Sequence, residues 1–203
     1  MSVFKNLNYG IIGNCRSAAL ISDKASIDWC CLPKFDSSSV FAKILDDKKG
    51  GGFWIETKQK FHISQTYLEN TCILSTVFRN ENYEFEVIDF MPRFIKNKGE
   101  FYAPPEIIRI VRPIKGSPEI KFKYDPRLEY AQGETKHVVK KNMVRSRVDI
   151  PKHDSLFLYT NIENIKIIKS NLHKLEETIF FNISYNEKLK TPQLSDCLLN
   201  FDR

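Results

Sequence analysis

The sequence lacks any apolar run long enough to form a signal peptide or a membrane span. Its first ten residues, MSVFKNLNYG, interleave polar and apolar side chains. It also lacks internal repeats, low-complexity tracts and an obvious linker, so a single domain is the simplest organisation. We therefore expect a cytoplasmic protein with no membrane partner.

Cysteine is too scarce and too irregularly placed for a disulfide framework. The count of five is odd, two of the five are adjacent, and no pair has C-x-x-C spacing. The four histidines are scattered without the spacing of zinc ligands. We expect no metal, no cofactor, and reduced thiols that act as small apolar core residues. The residues concerned are Cys15, Cys30, Cys31, Cys72, Cys197, His62, His137, His153 and His173.

A concentrated patch of one charge is also missing. The formal net charge is +6 and the pI about 9.0, but the basic residues are spread along the chain among carboxylates. No nucleic-acid-binding motif accompanies the positive charge, so we expect no nucleic-acid partner. Apolar residues make up 42% of the chain, which is typical of a soluble globular protein.

Strand periodicity dominates what is present. Residues 119–124 (EIKFKY) alternate polar and apolar strictly, which is typical of a sheet with one solvated face. Residues 83–88 alternate in the same way, and the strand that they form is expected to end at Asp89. Many short strands separated by turn signals predict an all-β, antiparallel two-sheet β-sandwich. Further predicted strands cover residues 18–21, 28–32, 71–79, 106–111, 143–148, 155–160 and 178–185.

Helical patterns are few. Residues 38–45 predict a short helix, which Ser37 or Ser38 could cap and which carries an apolar stripe. Residues 171–177 are compatible with either a short helix or a loop. Residues 194–203 contain several apolar residues and no strong stop signal, so they form either a fraying tail or the start of a further segment.

Five motifs in the first two thirds of the chain resemble, in the same order, the amino-terminal domain of glycoside hydrolase family 15, the bacterial and archaeal glucoamylases and trehalases. The first is a composite run in which Gly13 and Asn14 precede Ala-Ala-Leu-Ile-Ser, followed by Ser-Ile-Asp-Trp-Cys-Cys-Leu-Pro-Lys-Phe-Asp-Ser. Lys34 stands where that family usually has arginine, which exchanges a bidentate fork for a point charge. The matching segments are residues 9–14, 17–22, 26–37, 65–78, 89–93, 109–111 and 125–130.

The resemblance implies a β-sandwich of the supersandwich type over residues 1–193, and in residues 194–203 a tail or the start of a linker. Family members continue into an (α/α)6 barrel, whose two glutamates hydrolyse an α-glucosidic bond with inversion. No long helical pattern follows here, so we expect no catalytic residue and no glycosidase activity in this chain alone. The implied partner is a catalytic barrel in cis or trans, with an α-glucoside substrate bound through that barrel.

The best candidate site is the segment around the loop after Pro33. Trp29, Lys34, Phe35 and Asp36, with Asp28 at the start of the strand, are residue types that stack on sugars or bind hydroxyl groups. We expect this loop to face the substrate pocket or the barrel interface. In the alternative reading, Trp29 and Phe35 are core residues and Asp36 caps the following helix.

Other carboxylates have simpler structural explanations. Glu84 and Glu86 alternate on one strand, which is typical of a solvated sheet face rather than of paired catalytic acids. Asp89 is expected to cap a turn. Two further functions stay open: a stand-alone carbohydrate-binding module, which would need a row of exposed aromatic residues, and a structural or oligomerisation domain. A chain without its barrel would expose apolar surface and could form a homo-oligomer.

Overall fold

The structure is a computed structural model that describes residues 7–95, 99–141, 143–148, 154–163 and 170–201. The described residues are mostly strands, with one α-helix, α1 (Leu194–Phe201), and one 3-10 turn (Glu129–Ala131). The strands are β1 Tyr9–Gly13, β2 Ala18–Ser22, β3 Ile27–Cys31, β4 Ser39–Phe41, β5 Gly52–Thr57, β6 His62–Tyr67, β7 Leu74–Arg79, β8 Glu84–Phe90, β9 Phe94–Ile95, β10 Phe101–Tyr102, β11 Glu106–Lys115, β12 Glu119–Asp125, β13 Thr135–Lys140, β14 Met143–Val148, β15 Ser155–Thr160, β16 Leu172–Lys174 and β17 Ile179–Tyr185.

Two antiparallel sheets form a sandwich, which confirms the predicted fold class. The first sheet has the order β1-β2-β3-β5-β12-β16, with β4 paired to β3. The second sheet has the order β13-β14-β15-β17-β11-β8-β7-β6. Strands β9 and β10 form a separate small hairpin. In the described part of the chain, no helix is long and apolar enough to span a membrane.

The core lies between the two sheets and is rich in aromatic rings. The strict alternation of β12 buries Ile120, Phe122 and Tyr124 and leaves the intervening side chains partly exposed, as predicted. From the opposite sheet, the ring of Phe181 packs edge-on against Phe53 at 5.0 Å and against Phe122 at 4.7 Å between centroids. Each such fully buried apolar side chain contributes about 1.5–3 kcal/mol to folding.

One ion pair crosses this core and joins the two sheets. Arg109 on β11 and Asp89 on β8 are directly opposed in the second sheet and are both fully buried. The guanidinium donates to both Asp89 oxygens, Nε to Oδ1 at 2.7 Å and Nη2 to Oδ2 at 3.0 Å. It also donates to the carbonyl oxygens of Ala25 and Phe53, which belong to the first sheet side of the core, at 2.8 and 3.0 Å. The pair therefore links the two halves of the sandwich by hydrogen bonds.

This pair corrects the prediction that the strand ends at Asp89. Strand β8 continues through Asp89 to Phe90, because the buried carboxylate is neutralised by Arg109 and needs no turn. Burial raises the pKa of Asp89, and the Arg109 guanidinium opposes that rise.

Helix α1 covers part of the outer face of the second sheet. Its Cys197 is buried in a second apolar cluster with Ile108 and Ile110, and the Phe201 ring lies 6.1 Å from that of Phe90. Residues 194–201 are therefore packed against the sandwich and do not form a fraying tail, which was one of the two alternatives that the sequence allowed.

The predicted helix over residues 38–45 is wrong. Ser39, Val40 and Phe41 form strand β4, which pairs with β3, and all three are buried. Three consecutive buried residues do not fit an amphipathic helix, which would turn one of them to solvent. After β4, the Asp46 carboxylate accepts hydrogen bonds from two backbone amides of the following turn, at 2.8 and 3.0 Å.

Two further expectations need correction. Within residues 171–177, Leu172–Lys174 forms strand β16, which pairs with β12, rather than a helix or an irregular loop. Glu86 is buried rather than solvated: Ser75 donates to it at 2.6 Å and Arg112 at 2.5 Å. These two hydrogen-bond partners allow the carboxylate to be buried on the outer face of the sheet.

The cysteines divide into two groups. All five are free thiols; Cys30, Cys31 and Cys197 are buried as expected, but Cys15 and Cys72 are exposed. The expectation of a core position is therefore wrong for these two, which lie in loops at the strand ends.

Candidate functional site

A short ordered loop follows strand β3 and begins with a cis Leu32-Pro33 peptide bond. The Lys34 and Ser37 backbones close a tight turn, in which Ser37 N donates to Lys34 O at 3.1 Å and Lys34 N donates to Ser37 Oγ at 3.2 Å. Phe35 N donates to Arg16 O at 3.2 Å, which ties the loop to the β1–β2 connection. These bonds fix the backbone while the side chains of Lys34, Phe35 and Asp36 remain exposed.

This loop forms one wall of an open polar cleft of about 530 Å³. The opposite walls come from the 3-10 turn after β12, from the residue before β15 and from the end of β17. The lining residues are Pro33, Lys34, Asp36, Ser37, Ser38, Glu129, Asp154 and Tyr185.

The wall at the 3-10 turn has an unusual backbone. Glu129, Tyr130 and Ala131 have φ angles of 53°, 54° and 57°, in the left-handed region that residues other than glycine rarely occupy. Such a conformation costs about 1–3 kcal/mol per residue and is maintained only where the surroundings enforce it. The turn is held to the loop by two bonds: Ser38 Oγ donates to Glu129 Oε2 at 2.7 Å, and Tyr130 Oη donates to Ser37 O at 3.3 Å.

The remaining wall is built around a buried carboxylate. Asp154 is buried and accepts hydrogen bonds from Asn186 Nδ2, at 3.1 Å, and from the Tyr185 phenol. Asn186 is itself fixed, because its Oδ1 accepts from Ser155 N at 2.7 Å. Burial, followed by the Asp154 charge, raises the pKa of Tyr185 well above its ordinary value, so the phenol stays protonated and donates.

Charged groups of both signs line the cleft. Among the described residues, Asp36, Glu129 and Asp154 contribute carboxylates and Lys34 contributes an ammonium group. Among the described residues there is no group of three or more His, Cys, Asp or Glu side chains that could hold a metal ion. The arrangement offers hydrogen-bond acceptors at its walls and two hydroxyls, from Ser37 and Ser38, beside them.

The five residues predicted from the sequence fall into two places. Lys34 and Asp36 line the cleft, and Phe35 lies between them on the loop with 61% of its surface exposed. Phe35 is therefore not a core residue, and Asp36 caps no helix, since β4 follows instead. Trp29 is half-buried on β3 and contacts Tyr130 at 6.5 Å between ring centroids, which places it behind the strained turn.

Asp28 belongs to a separate structural network. It is buried and accepts hydrogen bonds from the Tyr9 phenol, at 3.0 Å, and from the Ser26 hydroxyl. Lys43 lies 3.7 Å from it. Burial and the neighbouring Asp28 charge raise the pKa of Tyr9 to about 12. Each oxygen of Asp28 has a protein partner, which accounts for the residue without a ligand.

Sequence reasoning missed Glu129, Asp154 and Tyr185. A signal existed for the first, because Glu129 lies in the segment 125–130 (DPRLEY) that matched a family motif. No sequence signal marks Asp154 or Tyr185, which reach the cleft only because β15 and β17 are neighbours in the second sheet.

The fold and the cleft together define a β-sandwich domain with an open polar cleft lined by carboxylates and hydroxyl groups. Comparison with known proteins places the chain more closely: it belongs to the family described as trehalase-like, N-terminal, whose model matches residues 7–175. The chain is 34% identical over 179 residues to a trehalase of Thermoplasma volcanium, an alignment that covers 86% of this chain and 26% of that protein.

Two relatives in Sulfolobus acidocaldarius are similar over shorter regions. Trehalase 1 is 37% identical over 121 residues, covering 60% of this chain and 19% of that protein. Trehalase 2 is 46% identical over 87 residues, covering 42% of this chain and 14% of that protein. The matched part of the chain thus spans about a quarter or less of the length of these relatives.

Proposed function

We propose that this chain is a non-catalytic amino-terminal domain of a trehalase-type glycoside hydrolase. The observation that carries the proposal is the family match over residues 7–175, in a chain that spans only 26% of a relative named trehalase. The catalytic glutamates then lie in a barrel domain, provided in cis or in trans, and the sandwich binds that barrel. Five free thiols support a reducing, cytoplasmic location.

The cleft is the part of the surface that we assign to the shared active site. Neither the Lys34 ammonium nor the Asp36 carboxylate has a side-chain hydrogen bond or ion pair with another residue in the described ranges. Both charges are exposed to solvent, so a ligand or a docked domain can bind them without displacing a protein partner. The backbone bonds of the loop hold them in position for that role.

A chimera tests the proposal. The matched region of the Thermoplasma volcanium trehalase is replaced by this chain, and hydrolysis of trehalose and of maltose is measured. We expect the chimera to hydrolyse trehalose, the isolated chain to show no turnover, and the relative without the region to lose activity. Turnover by the isolated chain, or full activity of the truncated relative, would contradict the proposal.

A variant of the chimera tests the loop separately. Asp36→Ala is expected to raise KM or lower kcat without changing the unfolding midpoint, because Asp36 is exposed and has no described partner. Glu69→Ala, at an exposed position in the β6–β7 turn, is the matched control. Equal kinetics in the two variants would remove the loop from the active site.

A stand-alone carbohydrate-binding module has less support. Among the described residues, the exposed aromatic side chains lie on separate elements: Phe35 on the β3–β4 loop, Tyr67 on β6, Phe101 on β10 and Tyr130 on the 3-10 turn. They do not form the row along one sheet face that such a module would use.

A further inference from the structure

Helix α1 packs beside a buried carboxyl group that has no role in the proposed function. We propose that Glu106 carries a proton in the folded chain, and that ionisation of its carboxyl group releases α1 from the outer face of the second sheet. Glu106 is then a pH-sensitive latch, which holds α1 on the sandwich at low pH and releases it as the pH rises.

Glu106 begins β11 on the face that α1 covers. It precedes Ile108 by two residues, so both side chains point to the same side of the sheet, and Ile108 is buried in the apolar cluster that contains Cys197 of α1. Only 3% of Glu106 is exposed. Burial, and after it the neighbouring Asp196 and Glu106 carboxyl groups, raise the pKa of the Cys197 thiol to about 12, so Glu106 lies close to the helix.

One oxygen of this carboxyl group lacks a donor. Asn182 Nδ2 donates to Glu106 Oε2 at 3.1 Å, whereas Glu106 Oε1 and Asn182 Oδ1 have no hydrogen-bond partner within the described ranges. A buried acceptor without a donor destabilises the fold. A proton on Glu106 Oε1 converts one of the two acceptors into a donor, and the oxygen of the adjacent amide is available to accept it. The protonated acid therefore fits this site better than the carboxylate does.

The groups around Glu106 also favour its neutral form. Burial raises its pKa, the Asn182 hydrogen bond opposes that rise, and the negative charge of Glu187 adds to it. The other titratable groups close enough to interact with a charge on Glu106 are Tyr102 on β10, Tyr159 on β15 and Cys197 on α1. These groups are neutral or acidic, so none of them compensates a negative charge.

Ionisation would leave this carboxylate without a cation, whereas the buried Asp89 and Glu86 each form an ion pair with an arginine. A buried anion without a partner is strongly disfavoured, and contact with water relieves it. Helix α1 is the element that can move: β11 is hydrogen-bonded to β8 and β17 on its two sides, but α1 packs on the face through apolar side chains such as Cys197 and Phe201. Release of α1 therefore admits water to Glu106 without breaking the sheet.

The thiol of Cys197 reports on the release of α1, because it is 1% exposed while the helix is packed. A chain with Cys15→Ser and Cys72→Ser is labelled with a dithiodipyridine from about pH 4 to about pH 8, and each modified thiol is identified by mass spectrometry. The same chain with Glu106→Gln is the matched control, since the ratio of the two labelling rates cancels the intrinsic pH dependence of the thiol. We expect this ratio to rise about tenfold or more over the range, because one linked proton changes an opening equilibrium by up to about tenfold for each pH unit.

Two other buried thiols distinguish local release from global unfolding. Cys30 and Cys31 lie on β3 of the first sheet and are 0% and 4% exposed. We expect their rate ratios between parent and Glu106→Gln to stay constant while that of Cys197 rises. If all three ratios rose together, the whole domain would be opening, and the latch would be rejected.

The protonation of Glu106 is measured directly, without a variant at this position, from the 13C chemical shift of its side-chain carboxyl carbon across the same pH range. We expect the protonated form to persist well above about pH 4.3, where a glutamate in solution is half ionised. Ionisation of Glu106 near that ordinary value, or a Cys197 rate ratio that does not change with pH, would overturn the proposal. Both measurements use this chain alone, so their outcome is independent of the chimera.

Discussion

The buried Arg109–Asp89 pair gives the most stringent prediction for stability. Replacement of Arg109 by methionine removes four hydrogen bonds, two to Asp89 and two to carbonyl oxygens across the core. It leaves a fully buried carboxylate without its cation. Replacement of Asp89 by leucine has the complementary effect and leaves a buried guanidinium without an anion.

The expected magnitude follows from the desolvation of the remaining charge. Breaking a buried, hydrogen-bonded pair from one side costs about 3–5 kcal/mol. For a chain of this size, each kcal/mol lowers the Tm by about 2–4 °C, so each single variant should lose roughly 6–20 °C. The double variant, which combines Arg109→Met with Asp89→Leu, should lose less than either single variant, because no uncompensated charge remains.

Urea denaturation followed by tryptophan fluorescence measures the free energy of unfolding for the parent chain, both single variants and the double variant. Arg79→Met is the control, because Arg79 forms a similar bidentate contact with Glu84 at 2.9 and 2.7 Å but is exposed. We expect no measurable loss in the control. Single variants that lose less than about 1 kcal/mol, or a double variant as unstable as the sum of both, would refute the reasoning.

The pH dependence of the Arg109→Met variant provides an internal check. Without the guanidinium, burial raises the pKa of Asp89 further above its unfolded value. A carboxyl group whose pKa is higher in the folded state than in the unfolded state stabilises the fold when the pH is below the unfolded-state pKa. This stabilisation is lost as the pH rises through the folded-state pKa. The deficit of Arg109→Met relative to the parent chain should therefore shrink as the pH is lowered towards about 4, near the ordinary aspartate pKa.

Three further predictions concern other buried or exposed groups. Burial raises the pKa of Glu106, and neither its Oε1 nor the Asn182 Oδ1 has a hydrogen-bond partner among the described residues. Glu106→Gln should supply a donor and abolish the loss of stability that the parent chain shows as the pH rises above about 4.5. A pH profile parallel to that of the parent chain would contradict this. Gly51→Ala, at a φ of +65° and with the Asp125 carbonyl oxygen in the space of the added Cβ, should lose more than about 1 kcal/mol in urea titrations, and an unchanged midpoint would argue against it. A thiol reagent should modify Cys15 and Cys72 in the folded chain and the other three cysteines only after unfolding; native labelling of all five would show that the burial pattern is wrong.

Most of the fold could be predicted because period-two alternation acts locally. Strands such as β12 and β14 alternate over most of their length, and their bounds match the sequence expectation within one residue. The pairing order could not be predicted. Strand β17 lies between β11 and β15, and β16 adds to β12 in the other sheet, so these contacts depend on long-range topology that no local pattern encodes.

The errors in secondary structure have a common physical cause. A helix was expected at residues 38–45 because apolar residues occurred at helical spacing, yet β4 is buried on both faces beneath neighbouring elements. The strand expected to stop at Asp89 continues because a cation from β11 lies directly opposite. In both cases a tertiary partner, invisible in the local sequence, outweighed the intrinsic preference.

Half of the cleft could be inferred from the sequence and half could not. Lys34 and Asp36 lie together on one loop, where residue type and order are informative. Glu129, Asp154 and Tyr185 come from distant elements and meet the loop only through sheet order. A candidate site inferred from one segment of the sequence is therefore incomplete, because residues from several secondary-structure elements line a cleft between them.

The carboxylate that we propose to be functional differs from the structural carboxylates of this domain in its hydrogen-bond partners. Asp89 and Asp28 are both buried, and each of their oxygens is matched by a donor from the protein, so a ligand would have nothing to add. Asp36 is exposed, lies with Lys34 on a loop fixed by its backbone, and lines the cleft without a described side-chain partner for either charge. In the isolated domain water solvates both of these exposed charges, so binding exchanges water for a partner and breaks no hydrogen bond within the protein. The proposal rests on Asp36 and Lys34 rather than on Asp28, because only these two remain accessible to a docked catalytic domain or its ligand.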